Sequence, residues 1–307
     1  MRLVTRSDFD GLACGALLKE AGLIDSYKFV HPKDIQDGLV EITGNDILAN
    51  IPYAPGCGMW FDHHTSEGER LGAVSYRGMS RIAPSCARVI YDFLGGSSRF
   101  PEHWDPMMMA VDKVDSADLS KLEIEAPGDW ILIGFIMDPR TGLGRFKHFR
   151  ISNYQLMLEM IEYCRTMTAA EILRQPDVKE RADLYFEQDA LFKNMLKRCS
   201  RMVDEVVVID FRDEDNIYAG NRFLIYSMYP DAKVSIHLTW DRDKQNVMLA
   251  MGNSILNRGS KANLGSIALR FGGGGHEVVA TCQVSPKEVD STLETIINYI
   301  HTENAAV

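Results

Sequence analysis

The chain has no excess of positive charge, no long apolar run and no paired cysteines, and each absence removes a class of function. Lys and Arg number 33 against 43 Asp and Glu, a formal charge of −10. That balance works against long-range attraction to a nucleic-acid polymer, so no long nucleic acid is expected as a partner. No segment approaches the roughly 20 apolar residues of a membrane span, and Met1-Arg2-Leu3-Val4-Thr5 leads straight into a polar motif. Neither export nor a membrane partner is expected. The six cysteines, Cys14, Cys57, Cys86, Cys164, Cys199 and Cys282, form no CxxC pair and no dense framework. They read as free thiols in a reducing cytoplasm. Internal repeats and low-complexity tracts are also missing.

What is present is ordinary in bulk. The 307 residues are 46% hydrophobic and 25% charged, enough for two cores in a globular chain. In the first half, short apolar runs alternate with amphipathic segments. Strands are expected at Arg2 to Thr5, Tyr27 to Val30, Asp46 to Ile51 and Met59 to Phe61, and a helix at Leu12 to Ala21. This alternation predicts an α/β fold, a mostly parallel sheet flanked by helices, with functional residues at the carboxyl edge. Helices are expected at Pro84 to Leu94 and His103 to Val114, then over Tyr154 to Met202 with a break at Pro176. The strand-like run Val206 to Ile209 opens a second unit containing Phe223 to Tyr226, Val234 to Thr239, Val247 to Met251 and Cys282 to Val284, with a helix around Ser291 to Thr302.

Four local patterns carry chemistry. Asp8-Phe9-Asp10-Gly11 follows the first strand, and carboxylates at i and i+2 can both turn to a single cation or a pair, with Gly11 allowing a tight start to the helix. A helix N-cap on a solvated turn is the plainer alternative. Phe61-Asp62-His63-His64 ends a strand. Asp62 can orient one imidazole, and successive residues point opposite ways, so one histidine is expected to bind metal and the other to meet substrate. The plainer alternative is a solvated pair. Asp112 and Asp115 close an apolar helical run where acidic groups oppose the helix dipole, and either can complete a metal shell, with Asp115 preferred. Gly272 to Gly275, four glycines before His276, cost backbone entropy and pack nothing. Close backbone approach to an anion explains them, with Arg258 and Arg270 as phosphate forks; a surface loop is the alternative. Tyr53, Trp60 and Trp104 can stack on a base, although such residues more often fill a core.

In this order, and over nearly the whole length, these motifs resemble the DHH/DHHA1 phosphoesterase family, whose members include exopolyphosphatase-like and nanoRNase-like proteins. The resemblance implies a larger DHH catalytic domain and a smaller α/β DHHA1-like substrate-binding domain across a cleft. It places the first at 1–185, a helical connector at 186–204 and the second at 205–307. It also implies a Mn²⁺ (or Mg²⁺) site. The matching metal positions are Asp8, Asp10, His63 and Asp115, with His64 facing the substrate and Arg258, Gly273, Gly274, Gly275 and His276 binding it.

Three positions depart from that pattern. Arg6 stands where relatives carry a histidine ligand. Asn50 stands where a bridging aspartate is usual, with Asp46 in that place if the register shifts. Thr281 replaces a common glycine. Arginine cannot bind a cation and an Asn carbonyl is a poor bridge, so the number of ions, one or two, stays open. The sharper expectation is one ion held chiefly by Asp10, His63 and Asp115, with Arg6 either paired to Asp8 or clamping a substrate oxygen. The function implied is a metal-dependent phosphoesterase acting on a short oligonucleotide, a nucleotide bisphosphate or a short polyphosphate. The alternative is a nucleotide- or phosphate-binding protein on the same fold, and a homodimer stays open.

Overall fold

A computed structural model describes residues 1–64, 74–241 and 243–305. The chain divides into two compact units, one comprising Met1–Leu119 with Ala126–Phe186 and the other Ser120–Glu125 with Glu187–Val307.

The first unit is built on five strands, β1 (Arg2–Thr5), β2 (Ser26–Phe29), β3 (Asp46–Ala49), β4 (Met59–Asp62) and β5 (Gly78–Ser80). They run in the order β2-β1-β3-β4-β5 and pair in parallel throughout. β3 and β4 are buried along their whole length, as strands covered on both faces must be. Every residue from Phe9 to Leu18 in the helix Phe9–Glu20 is buried, and it packs against the helices Cys86–Phe93, Asp105–Asp115 and Asn153–Thr166. The chain leaves β1 towards β2 and then crosses to β3 on the other side. The strand order therefore reverses at the carboxyl ends of β1 and β3, where α/β sheets gather their sites.

The four strands expected in this unit are present to within a residue or two. Asp46 begins β3 and pairs with Arg2, with Arg2 Nε 2.6 Å from Oδ1, whereas Asn50 follows its last residue. This fixes the register and leaves Asp46 at the opposite edge. The expected helical region is three helices, Asn153–Thr166, Ala169–Ile172 and Pro176–Cys199, with Pro176 opening the third. One further helix, Asp129–Met137, has all but its first residue buried. Trp60 and Trp104 are core residues at 1% and 2% exposure.

The second unit holds a six-stranded sheet. Its strands are β6 (Ser200–Val203), β7 (Val206–Asp210), β8 (Val234–Trp240), β9 (Val247–Asn253), β10 (Gly274–Gly275) and β11 (Val279–Val284), in the order β10-β11-β9-β8-β7-β6. Only β7 and β8 are parallel; the other pairings are antiparallel. Val234, Ile236 and Leu238 on β8 and Leu249 and Met251 on β9 form one core with Leu293, Ile296 and Ile300 of the helix Val289–Ala305. Two expectations change here. The helix ends at Cys199 and 200–203 is strand, and the apolar run Phe223 to Tyr226 lies in a short helix, Leu224–Met228, rather than a strand. In that helix's lead-in the Asn221 carboxamide oxygen accepts from Phe223 N at 2.9 Å, closing a turn.

Candidate active site

β1 delivers the first motif to the carboxyl edge of the sheet, and the helix that starts at Phe9 sends its two aspartates to different tasks. Asp8 is the N-cap: its Oδ1 accepts from Gly11 N at 2.9 Å and from Asn50 Nδ2 at 3.2 Å. Its other oxygen, Oδ2, lies 3.0 Å from Arg6 Nε. Only glycine fits at position 11, because a Cβ there would meet the Arg6 carbonyl oxygen at 2.2 Å. That close approach folds Arg6 back over the helix start.

Asp10 lies in the first turn and is 2% exposed. Its Oδ2 accepts from Cys86 N at 2.9 Å and its Oδ1 from Ala87 N at 2.7 Å, the free N–H groups that open the helix Cys86–Phe93. Ser85 caps that helix and donates to Asp112 at 2.7 Å, and Arg88 holds the other Asp112 oxygen through Nε at 2.9 Å and Nη2 at 2.7 Å. Asp112 therefore braces the helix on which Asp10 leans. Asp115, one turn on, lies 3.2 Å from His63 Nε2.

The two histidines have different hydrogen-bond partners. His63 gives its Nδ1 proton to the Ala83 carbonyl at 3.1 Å. His64 Nδ1 is 2.8 Å from Asp62 Oδ1. Both residues lie beyond the end of β4, so their rings do not take opposite faces but sit side by side, with centroids 4.3 Å apart.

Ligand atoms of Asp10, His63 and Asp115 all lie within 4.8 Å of one another. These residues fit a divalent cation on three counts. They supply two carboxylates and an imidazole, a donor set suited to Mn²⁺ or Mg²⁺. His63 Nε2 is buried and has no hydrogen-bond partner among the described residues. Asp10 is pushed up to about 7, by burial first and then by Asp8, against the lowering pull of the Ala87 and Cys86 N–H groups. Asp115 is also pushed up to about 7, by burial first and then by Asp10. Its side chain is only 24% exposed, and His63 and His64 do not offset the repulsion. Burial lowers the pKa of His64, but the bond and charge of Asp62, helped by Asp115 and Asp10, outweigh it and the net direction is up.

Asp8 is not in this group, being held by Arg6, Asn50 and Gly11. Asn50 is 1% exposed and left-handed at φ +57, a conformation Asn tolerates better than most residues, and this turns its amide to Asp8. Arg140 is a residue the motifs did not mark. Its side chain is half-exposed; burial lowers its pKa, but Asp138 first, then Asp8 and Asp115, raise it on balance. Arg140 Nε lies 2.8 Å from Asp138 Oδ1.

In the second unit packing accounts for two of the four glycines, Gly273 and Gly275, while Gly272, at φ +71, and Gly274 have open space around them. A Cβ on Gly273 would lie 2.2 Å from Thr281 O, and one on Gly275 2.3 Å from Val279 O; around Gly274 nothing lies within 4 Å. Gly274 and Gly275 pair with Thr281 and Ala280 of β11, and His276 is exposed with its N–H on Val279 O at 2.7 Å. Arg258 is exposed, its Nε on Ile255 O at 3.1 Å, and the Arg270 guanidinium lies over the Tyr299 ring at 4.4 Å.

Over 98% of its length the chain is similar to the pGpG-specific phosphodiesterase PggH from Vibrio cholerae, covering 99% of that chain at 45% identity with a TM-score of 0.86. It belongs to the DHH phosphoesterase family. The same fold, at 12% identity and a TM-score of 0.53, occurs in an exopolyphosphatase-related protein from Bacteroides fragilis, with 99% of this chain and 93% of that one covered. It occurs again in RecJ from Thermus thermophilus, solved with Mn²⁺, at 14% identity and a TM-score of 0.53; there 98% of this chain spans 52% of the other. No family model matches the chain, and no curated protein does. No described helix is long and apolar enough to cross a membrane.

Proposed function

We propose that this chain is a Mn²⁺-dependent phosphodiesterase that hydrolyses pGpG to two molecules of GMP. The observation that carries the reading is the convergence of Asp10, His63 and Asp115 at the sheet's carboxyl edge, in a chain 45% identical throughout to a pGpG-specific phosphodiesterase.

Asp10, His63 and Asp115 would hold the cation. When bound, it makes a water more acidic and neutralises charge on the phosphoryl oxygens. The protein's own residues supply the rest. Water oxygen bonds to phosphorus as the bond to the 3′-oxygen breaks, and the departing oxygen needs a proton. His64 would be the donor: Asp62 holds its Nδ1 and favours the protonated ring, leaving Nε2 to deliver the proton. Arg6 and Arg140 place fixed positive charge where phosphoryl oxygens gather. In the second unit, Gly273, Gly274, Gly275, His276 and Arg258 are proposed to take part in nucleotide binding, Gly274 through its open backbone. The charge of −10 supports a dinucleotide over a long strand.

The test is GMP release from pGpG with Mn²⁺, in parallel with a pentaribonucleotide, a nucleotide 3′,5′-bisphosphate and a short polyphosphate, each against Asp10→Ala. The expected result is turnover of pGpG that vanishes in the variant. Mn²⁺-loaded protein that binds pGpG without cleaving it would instead mark a nucleotide-binding protein, and equal rates on the longer RNA would remove the dinucleotide assignment.

A further inference from the structure

The donors around Asp8 are where this site parts from a two-cation centre. Both carboxylate oxygens are engaged, Oδ1 by Gly11 N and Asn50 Nδ2 and Oδ2 by Arg6 Nε. The carboxylate is nine-tenths buried, and Arg6 is 31% exposed. A cation reaching Asp8 would have to displace the Arg6 guanidinium. Asn50, which turns its N–H donors to Asp8, brings no negative charge to replace it. Gly11 leaves room for the Arg6 carbonyl against the helix start, and the Arg6 guanidinium pairs with Asp8.

We propose that the chain holds one divalent cation, on Asp10, His63 and Asp115, and that Arg6 stands in the place of a second as a built-in cation fixed to Asp8. The inference rests on the reading of the site as a phosphodiesterase centre. Arg6 keeps Asp8 neutralised before substrate arrives. Its remaining N–H groups are the donors for a phosphoryl oxygen, in the geometry a guanidinium offers phosphate. A site built this way needs one ion to be complete, so activity follows a simple hyperbola in Mn²⁺ with no second, weaker phase.

The test is the number of Mn²⁺ ions bound per chain, by equilibrium dialysis and elemental analysis, with electron paramagnetic resonance of the same samples. One ion is expected in the wild type and in Asp8→Asn, none in Asp10→Asn, and two in the double variant Arg6→His with Asn50→Asp, which restores donors around Asp8. The wild type should give the hyperfine signal of an isolated ion. Two ions in the wild type, an exchange-coupled signal, or loss of the ion in Asp8→Asn overturns the proposal. The wild-type spectrum and count decide the matter even where the double variant fails to fold. They are also independent of the substrate: one ion without pGpG turnover leaves this inference standing and removes the assigned reaction, and two ions with turnover does the reverse.

Discussion

His63 donates from Nδ1 to the Ala83 carbonyl, which leaves Nε2, 3.2 Å from Asp115 Oδ2, as the ring nitrogen that can turn a lone pair to a cation. A backbone carbonyl can only accept, and this fixes the tautomer without any side-chain partner. His63→Ala is expected to weaken Mn²⁺ binding at least 10- to 100-fold, the scale seen even for partners one shell further out. Phosphodiester turnover should fall at least as far. Titration calorimetry with Mn²⁺ checks the first and GMP release the second; unchanged affinity would remove His63 from the site.

The two raised carboxylates set a pH dependence whose sign is opposite to that of an ion-paired acid. Asp10 and Asp115 ordinarily titrate near 3.8 and are pushed up to about 7 in the metal-free fold. Between about 4 and 7 the folded chain holds protons that the unfolded chain has released, so stability falls as pH rises through that window. The melting temperature of metal-free protein should therefore drop from pH 5 to pH 7.5, and the gain on adding Mn²⁺ should widen over the same range. A Mn²⁺-induced gain that is flat across these pH values would contradict the charge frustration described for the site.

Arg6→Ala is expected to lower kcat by about 10²- to 10³-fold, the usual cost of removing one fixed donor from a transition state. KM should change much less. Arg6→Lys should recover part of the loss, because an ammonium keeps the charge but not the fork. Steady-state kinetics on pGpG at saturating Mn²⁺ reads both values, and an Arg6→Ala enzyme with wild-type kcat would confine Arg6 to a structural role.

Adjacent glycines in the second unit should behave differently. Gly273→Ala puts a Cβ 2.2 Å from Thr281 O and 2.7 Å from Cys282 Cα, so β11 must shift, at a cost of about 1–3 kcal/mol for overpacking. Gly274→Ala meets nothing within 4 Å and should change stability by less than about 0.5 kcal/mol. Its effect should fall on nucleotide binding, as a raised KM. Urea midpoints and pGpG kinetics of the two variants separate packing from recognition, and an unaltered KM in Gly274→Ala would take the glycine run out of the binding surface.

Much of this was legible from the order of residues. Alternating apolar runs announce the parallel sheet, and residues just after β1, β3 and β4 must sit at one edge. The pairing of Arg6 with Asp8 follows from charge alone once the histidine is missed. What separates Asp8 from Asp10 is not local. The difference lies in two N–H groups, of Cys86 and Ala87, which arrive from more than 70 residues away to hold Asp10 inward. Asp112 and Asp115 are likewise told apart only by Ser85 and Arg88, which occupy the first. The helix Asp129–Met137 escapes a periodicity argument because, buried all round, it has no polar face to mark the period. Arg140 lies just past its end and was missed with it.

The six residues Ser120–Glu125 belong to the second unit although the chain on both sides of them belongs to the first. Within that unit Ile124 is 1% exposed, and its carbonyl accepts from Asn221 Nδ2 at 3.3 Å. The polypeptide therefore changes units three times, not once. A protease nick or a gene split at the helix Pro176–Cys199 would carry Ser120–Glu125 away with the wrong piece, leaving the Asn221 amide with a buried donor to satisfy elsewhere. Neither unit corresponds to a continuous stretch of gene, so no single cut in the chain separates the two.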